Sequence, residues 1–303
     1  MFDVRRCTRE EGQSTVEWVG LVLMLALLAV AAAALVGARL PGTGLARAIA
    51  QKLVCAAGPD RGCDVDDAEL VAEYGPELAA AVRRHVPTLV YEEGMRAVPV
   101  DFRDCRADPC SMAAASGEVA ASDDGLPVTL YVHVVDCRGR AASAVQEGGP
   151  DCSGERSGRL YLQYWAYYPG SRSWRAIPGG AGHHRDDWES FQLRIGPGGR
   201  LARASSHHGY NYDGGSSSWL SDAGVVERSA WGPDRGRYFI SGGSHAGRAF
   251  ELPGPRHRWT PGRLVRLVPV EAVARSPAGA RSFEVTPPWR KRVYRDPEHP
   301  GTE

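Results

Sequence analysis

The chain has 303 residues, room for a membrane or targeting segment plus one large domain or two small ones. Thirty-six basic residues balance thirty-six acidic ones, so no global field draws the protein to nucleic acid. The charge is unevenly placed all the same: residues 60–77 carry seven carboxylates against Arg61, whereas 256–295 carry ten Lys/Arg against Glu271 and Glu284, which reads first as a solvated basic face.

From Trp18 to Val36 there is no charge, and about 20 apolar residues at 1.5 Å each span a bilayer core. A cytoplasmic leader over 1–12 and a transmembrane helix over 13–38 are therefore expected. A cleaved secretory signal competes, since Arg5, Arg6 and Arg9 precede the run and alanines fill its end. Glu17 at the entrance needs a reason, because a carboxylate at a membrane helix end is costly unless it is paired. The stretch resembles the N-terminus of type IVb pilins and Tad-pilus pseudopilins: a charged leader ends in Gly12, Gln13 would begin the mature chain, and Glu17 is its fifth residue. That resemblance implies cleavage after Gly12 and pairing of Glu17 with a neighbouring pilus or secretion-assembly subunit. An ordinary single-pass anchor is the alternative. Both put the N-terminus in the cytoplasm and everything beyond Arg39 outside.

The cysteines agree with an oxidising compartment. Cys7 lies in the leader, and the remaining six form three sequence-near pairs, so the expected disulfides are Cys55–Cys63, Cys105–Cys110 and Cys137–Cys152. None has the spacing of a structural zinc knuckle.

Residues 39–86 read as a helical stem or linker. Asp66 with Glu69 suggests a capping box ahead of Leu70, Val71 and Tyr74 at helical spacing, and Pro76 restarts or kinks the helix through Val82. From about residue 88 the period changes to two. LVYEEG, AVPVDF, VTLYVHVVD, RLYLQYWAYYP, DWESFQLRI, LARASS, GRYFIS and RLVRLVP are short, rich in aromatic and β-branched residues, and separated by turn formers. A mainly β fold follows, an antiparallel β-sandwich ectodomain over 87–286, with a fraying, proline-rich tail over 287–303.

The stretch GHHRDDWES, residues 182–190, concentrates the chemistry. On a strand starting near Asp187, Asp187, Glu189, Phe191, Leu193 and Ile195 share one face while Trp188, Ser190, Gln192 and Arg194 share the other. Two carboxylates on an apolar face require a cation, an arginine or a proton. The candidate partners are His184, Arg185, His207 and His208 in SSHHGY, and His245 in SGGSHAG, all in loop-mouth settings.

Four motifs in order, YWAYYPG (164–170), HHRDDWES (183–190), SSHHGY (205–210) and YFISGGSHAG (238–247), resemble the vacuolar protein sorting 62 family and in part the Nep-like necrosis-inducing proteins with their Gly-His-Arg-His-Asp-Trp-Glu heptapeptide. PTLVYEEGMRAVPVDF (87–102) looks like the former family's domain start. The resemblance implies a β-sandwich with a loop-borne site that holds a divalent cation. It carries the family's ligands onto His184, Asp187, Glu189 and His207, with Trp188 between the two carboxylates. Asp186 stands where the heptapeptide has its second histidine and is a substitute ligand; Gly170 and Ser171 stand where the Nep-like proteins carry a further aspartate. The donor set leaves Ca²⁺, Mg²⁺, Mn²⁺ and Zn²⁺ open. A purely architectural hydrogen-bond network among the same residues is the competing reading.

Tyr164, Trp165, Tyr167, Tyr168 and Trp188 are either a platform for a glycan or lipid headgroup or ordinary strand core. The leading functional reading is a membrane-anchored, non-enzymatic envelope protein displaying a binding domain. A metal-assisted hydrolase using Glu189 or Asp187 on a bound water is one alternative. A membrane-active toxin like the Nep-like proteins is the other.

Overall fold

The computed structural model describes residues 67–106, 108–111, 117–139, 149–171, 183–197, 199–204, 225–227, 236–248 and 258–299. Gly12, Gln13, Glu17, the expected span over 13–38, Cys55, Cys63, His207 and His208 lie outside them. Among the described residues no helix is long and apolar enough to cross a membrane.

Helix α1 (Ala68–His85) is two helical pieces joined at a kink, where Gly75 takes φ 77° ahead of Pro76. Proline cannot continue the hydrogen-bond ladder, and the residue before it is pushed out of the helical region, so the break falls where the sequence put it. Asp66 of the expected capping box lies outside the described residues. Asp67 occupies the N-cap without a side-chain cap bond and instead pairs with Arg83, Nε to Oδ2 at 2.8 Å. The other edge of that buried guanidinium donates to the carbonyls of Gly262 (3.1 Å) and Val265 (2.9 Å), which fixes the helix to the β-domain.

Two sheets follow. The first has strand order β2-β10-β1-β8-β9, built from β1 (Thr88–Tyr91), β2 (Gly117–Glu118), β8 (Arg237–Ile240), β9 (Gly247–Arg248) and β10 (Arg258–Thr260). The second has order β11-β3-β4-β5-β6-β7, from β3 (Thr129–Asp136), β4 (Leu160–Ser171), β5 (His184–Gly196), β6 (Gly199–Ala204), β7 (Val225–Glu227) and β11 (Arg266–Pro269). One apolar cluster joins them, with Leu89, Tyr91, Tyr164, Phe191 and Tyr238 all buried in it.

The fold is mainly β as expected, but not wholly antiparallel. β1 pairs β8, β10 pairs β2 and β11 pairs β3 in parallel, so both sheets are mixed. These pairings join segments far apart in sequence, which local periodicity cannot register.

The C-terminal segment also departs from expectation. Helix α2 (Val270–Ala274), a short 3-10 turn (Pro288–Arg290) and helix α3 (Arg292–Arg295) form a strap across the outer face of β3, β4 and β5. Gln163 donates to the Val293 carbonyl (2.9 Å) and Gln192 to that of Pro297 (2.8 Å). Tyr294 stacks on His133 at 3.7 Å. Residues 287–299 are therefore packed rather than fraying, because fully burying a side chain such as Val293 is worth about 1.5–3 kcal/mol. The strap explains why β4 is buried on both faces, where a two-layer sandwich would show alternation.

Two expected disulfides are present. Cys105–Cys110 and Cys137–Cys152 have Cα separations of 5.8 and 5.3 Å, within the normal range.

Candidate functional site

The end of β4 and the start of β5 form the rim on which the acid and histidine residues converge. Tyr168 lies opposite Asp187 and Ala166 opposite Glu189 in the antiparallel register. The expected division of β5 into two faces is observed. Phe191 meets Tyr238 of β8 at 5.6 Å between ring centroids, on the side of the first sheet. Trp188 packs in the outer layer against Tyr167 (4.9 Å) and Trp289 (5.8 Å).

Asp187 and Glu189 are both buried, with 4% and 8% of their surface exposed, so neither points freely into water. The Asp187 carboxylate lies between two imidazoles: Oδ2 is 2.7 Å from Nδ1 of His245, and Oδ1 is 3.8 Å from Nε2 of His184. The first is a hydrogen-bond distance and the second is a longer electrostatic contact. His184 opens β5 and His245 sits on the turn between β8 and β9, so one residue from each sheet meets Asp187.

Tyr168 stacks on the His245 ring at 3.9 Å. Its hydroxyl is buried and has no hydrogen-bond partner among the described residues. Burial first, then the neighbouring Tyr238 and Tyr91 and the charges of Asp187 and Glu189, push its pKa well up, so it is a neutral donor. A buried polar atom left without a partner points to a water, an ion or a ligand at that place.

His245 has φ 56°, and Asp186 has the same value; they are the two non-glycine residues with positive φ among the described residues. Such conformations cost about 1–3 kcal/mol each and persist where the surroundings over-determine them, above all at binding and catalytic sites. At the neighbouring Gly247 any Cβ would overlap the Tyr238 ring, so that position admits only glycine.

The positive φ of Asp186 goes with a side chain that serves the opposite layer from Asp187. Its Oδ1 accepts from Nε (3.1 Å) and Nη2 (2.8 Å) of Arg106 and from the Tyr167 hydroxyl (2.8 Å). Its Oδ2 accepts from Arg106 Nη2 (2.7 Å) and from the Glu284 backbone N–H (3.0 Å). Arg106 is further held by the Ser282 carbonyl (3.0 Å) and lies 4.8 Å over the Phe283 ring. Arg106, Arg185, Asp186, Ser282, Phe283 and Glu284 line an open cleft of about 480 Å³.

The structure thus brings His184, Asp187 and His245 together, with Glu189 two residues along the same face. Asp186, read as a substitute cation ligand, is committed to Arg106 and turned away from that face. Arg185 is exposed; its backbone N–H donates to Glu284 Oε2 (3.0 Å). The aromatic platform is not exposed: Tyr164, Trp165, Tyr167 and Tyr168 are fully buried and Trp188 is 5% exposed, which makes them core. The carboxylate oxygens of Asp187 and Glu189 are of the kind a hard divalent cation takes. Among the described residues, however, no group of three or more His, Cys, Asp or Glu is arranged to hold a metal ion.

Sequence reasoning missed Arg106, Ser282, Phe283 and Glu284. Arg106 lay inside the Cys105–Cys110 pair, a stapled loop that could have drawn notice. The apolar residues Phe283, Val285 and Trp289 among the prolines were the available signal for a packed strap.

No protein-family model and no curated protein matches the chain. Among solved structures it is similar to NLPPya in complex with mannosamine, at 17% identity over 66% of this chain and 76% of that one, TM-score 0.37. It is also similar to NLPPya in complex with glucosamine, at 14% over 66% and 76%, TM-score 0.35. A third structure, described as a toxin fold that is the basis for microbial attack and plant defense, matches at 15% over 72% and 87%, TM-score 0.39. These are Nep-like toxin folds, matched at low identity, and likeness at this level says nothing of ligand or activity. The pilin-like leader and the vacuolar protein sorting 62 resemblance rest on sequence motifs alone.

Proposed function

We propose that the β-domain is an extracytoplasmic recognition domain that works by binding, and that its ligand meets the rim formed by His184, Asp187, Glu189 and His245. The observation that carries this reading is the Tyr168 hydroxyl, without a partner among the described residues, buried beside two buried carboxylates and stacked on a histidine held in a left-handed conformation. Strain and an unsatisfied buried donor at one place are what a fold tolerates where something else is to be held. A divalent cation held by Asp187 and Glu189, completed by His184 or His207, belongs to this proposal, with the choice among Ca²⁺, Mg²⁺, Mn²⁺ and Zn²⁺.

The partner we favour is a sugar-bearing or lipid headgroup at a membrane surface, as in the Nep-like reading. The cleft supports this over a pilus-subunit role by gathering Arg106, Arg185 and Phe283 on one surface beside the rim. In this account the 13–38 segment anchors the chain in the membrane until cleavage releases the domain, and the pilin-like cut after Gly12 is a processing step of the same scheme. The hydrolase reading has carboxylates in its favour, but among the described residues no group of three or more His, Cys, Asp or Glu is arranged to hold the metal it needs.

Binding of the full chain to a glycan panel and to lipid vesicles tests the proposal. His245→Asn is the informative variant, because asparagine tolerates the left-handed backbone while losing the imidazole. Binding is expected to fall in His245→Asn with the melting temperature retained; equal binding by both proteins refutes the rim as the site. A melting temperature indifferent to chelator and to all four cations removes the cation. Hydrolysis of a glycan or phosphodiester that vanishes in Glu189→Gln overturns the binding-only reading.

A further inference from the structure

The cleft beside the rim has an unbalanced hydrogen-bond inventory. Asp186 accepts five hydrogen bonds on its two oxygens, more than the roughly four lone-pair sites of a carboxylate, so it has nothing left to offer a ligand. Glu284 has one oxygen engaged by the Arg185 backbone N–H. The Ser282 carbonyl is taken by Arg106. The donors stand otherwise. Arg185 is exposed, and its guanidinium, with five N–H groups, has no hydrogen-bond or ion-pair partner among the described residues. Arg106 spends Nε and Nη2 on Asp186 and Ser282, and its Nη1 has no partner among the described residues.

The unfilled capacity is therefore mostly N–H, and it is charged. A ligand that fills it must bring acceptor oxygens, preferably two in one plane to match the guanidinium fork. Arg106 is held in place by Asp186, by the Ser282 carbonyl and by the Phe283 ring under it, so little ordering cost remains on that side. The Cys105–Cys110 bridge flanks it and fixes its backbone.

We propose that this cleft is an oxyanion site of the phosphate class, in which Arg185 supplies a bidentate contact and the free edge of Arg106 a second one. The inference deepens the headgroup reading and rests on it for the physiological ligand. The phosphate could belong to a lipid headgroup or be free in solution; the chemistry at the two arginines is the same.

The test uses the full chain in a neutral detergent, titrated with inorganic phosphate at constant ionic strength and followed by thermal shift. Wild type is expected to show a saturable rise in melting temperature. Arg185→Ala should shift the midpoint of that response at least about tenfold, since it removes a charge-assisted, bidentate contact. Arg185→Lys, which keeps the charge and loses the fork, should fall between them. Neither substitution should move the unliganded melting temperature by more than about 1 °C, because the exposed guanidinium has no hydrogen-bond or ion-pair partner among the described residues. No saturable response in wild type, or the same response in Arg185→Ala, overturns the proposal. Vesicles of phosphatidylcholine with and without phosphatidic acid give the second arm. Competition by phosphatidic acid vesicles assigns the site to lipid phosphate, and response to inorganic phosphate alone assigns it to a soluble oxyanion; both support the arginine chemistry. A response retained in His245→Asn shows that the anion site stands even where the rim reading fails.

Discussion

Replacing Arg106 by methionine isolates the contact that ties the stapled loop, the β5 start and the C-terminal strap together. The substitution keeps most of the side-chain volume over Phe283 and removes every charged donor to Asp186, whose side chain is 4% exposed. Breaking a buried ion pair by deleting one partner costs about 3–5 kcal/mol, because the other charge stays buried. Arg106 is itself 30% exposed, and the Tyr167 hydroxyl and Glu284 N–H still reach Asp186, so the lower end applies, about 3 kcal/mol. At roughly 2–4 °C per kcal/mol for a domain of this size the melting temperature should fall by about 6–12 °C. The double variant Arg106→Met/Asp186→Asn keeps a residue tolerant of φ 56° and removes the stranded charge. It should recover part of the loss, with a coupling of about 1–3 kcal/mol in a double-mutant cycle by urea denaturation. A loss below about 0.5 kcal/mol in the single variant, or strict additivity, would show that Asp186 is hydrated and that its contact with Arg106 does not tie these three segments together.

Acid should destabilise the domain through Asp101 and Glu271. Burial alone would raise both carboxyls, but the Arg103 guanidinium and the Tyr131 hydroxyl outweigh it at Asp101, and His133 and Tyr74 outweigh it at Glu271, so both sit below their ordinary values of 3.8 and 4.5. A depressed folded pKa means stability that is full above the unfolded value and is lost as pH falls through the folded one. Denaturation free energy should therefore drop below about pH 4.5, and Glu271→Gln should flatten that slope; an unchanged slope contradicts the assignment. Reducing Cys137–Cys152, or replacing both residues by serine, should cost about 3 kcal/mol from the loop it closes, read as a shift in the urea midpoint; no shift would mean the bridge is not formed.

What the sequence made legible is local. The alternation in DWESFQLRI placed Asp187 and Glu189 on the inner face and Trp188 on the outer one, because a strand has period two whatever its partners. The near-neighbour cysteines and the Gly75–Pro76 break were readable for the same reason. Asp186 was not, since its left-handed backbone takes it out of the strand pattern to meet Arg106, eighty positions earlier. The parallel pairing of β11 with β3 depends on a return of the chain that no short window contains. The strap was hidden by its prolines, which suggest fraying until Phe283, Trp289 and Val293 are seen to cover β4 and β5.

The most direct test of the rim as a binding centre is hydrogen exchange of the full chain, with and without headgroup-bearing vesicles, read by mass spectrometry. The account predicts added protection confined to peptides covering 183–190 and 241–248, with the 282–284 segment following when phosphate is the group bound. Vesicle-bound protein whose protection falls elsewhere, with those peptides exchanging as they do in the free protein, would contradict it.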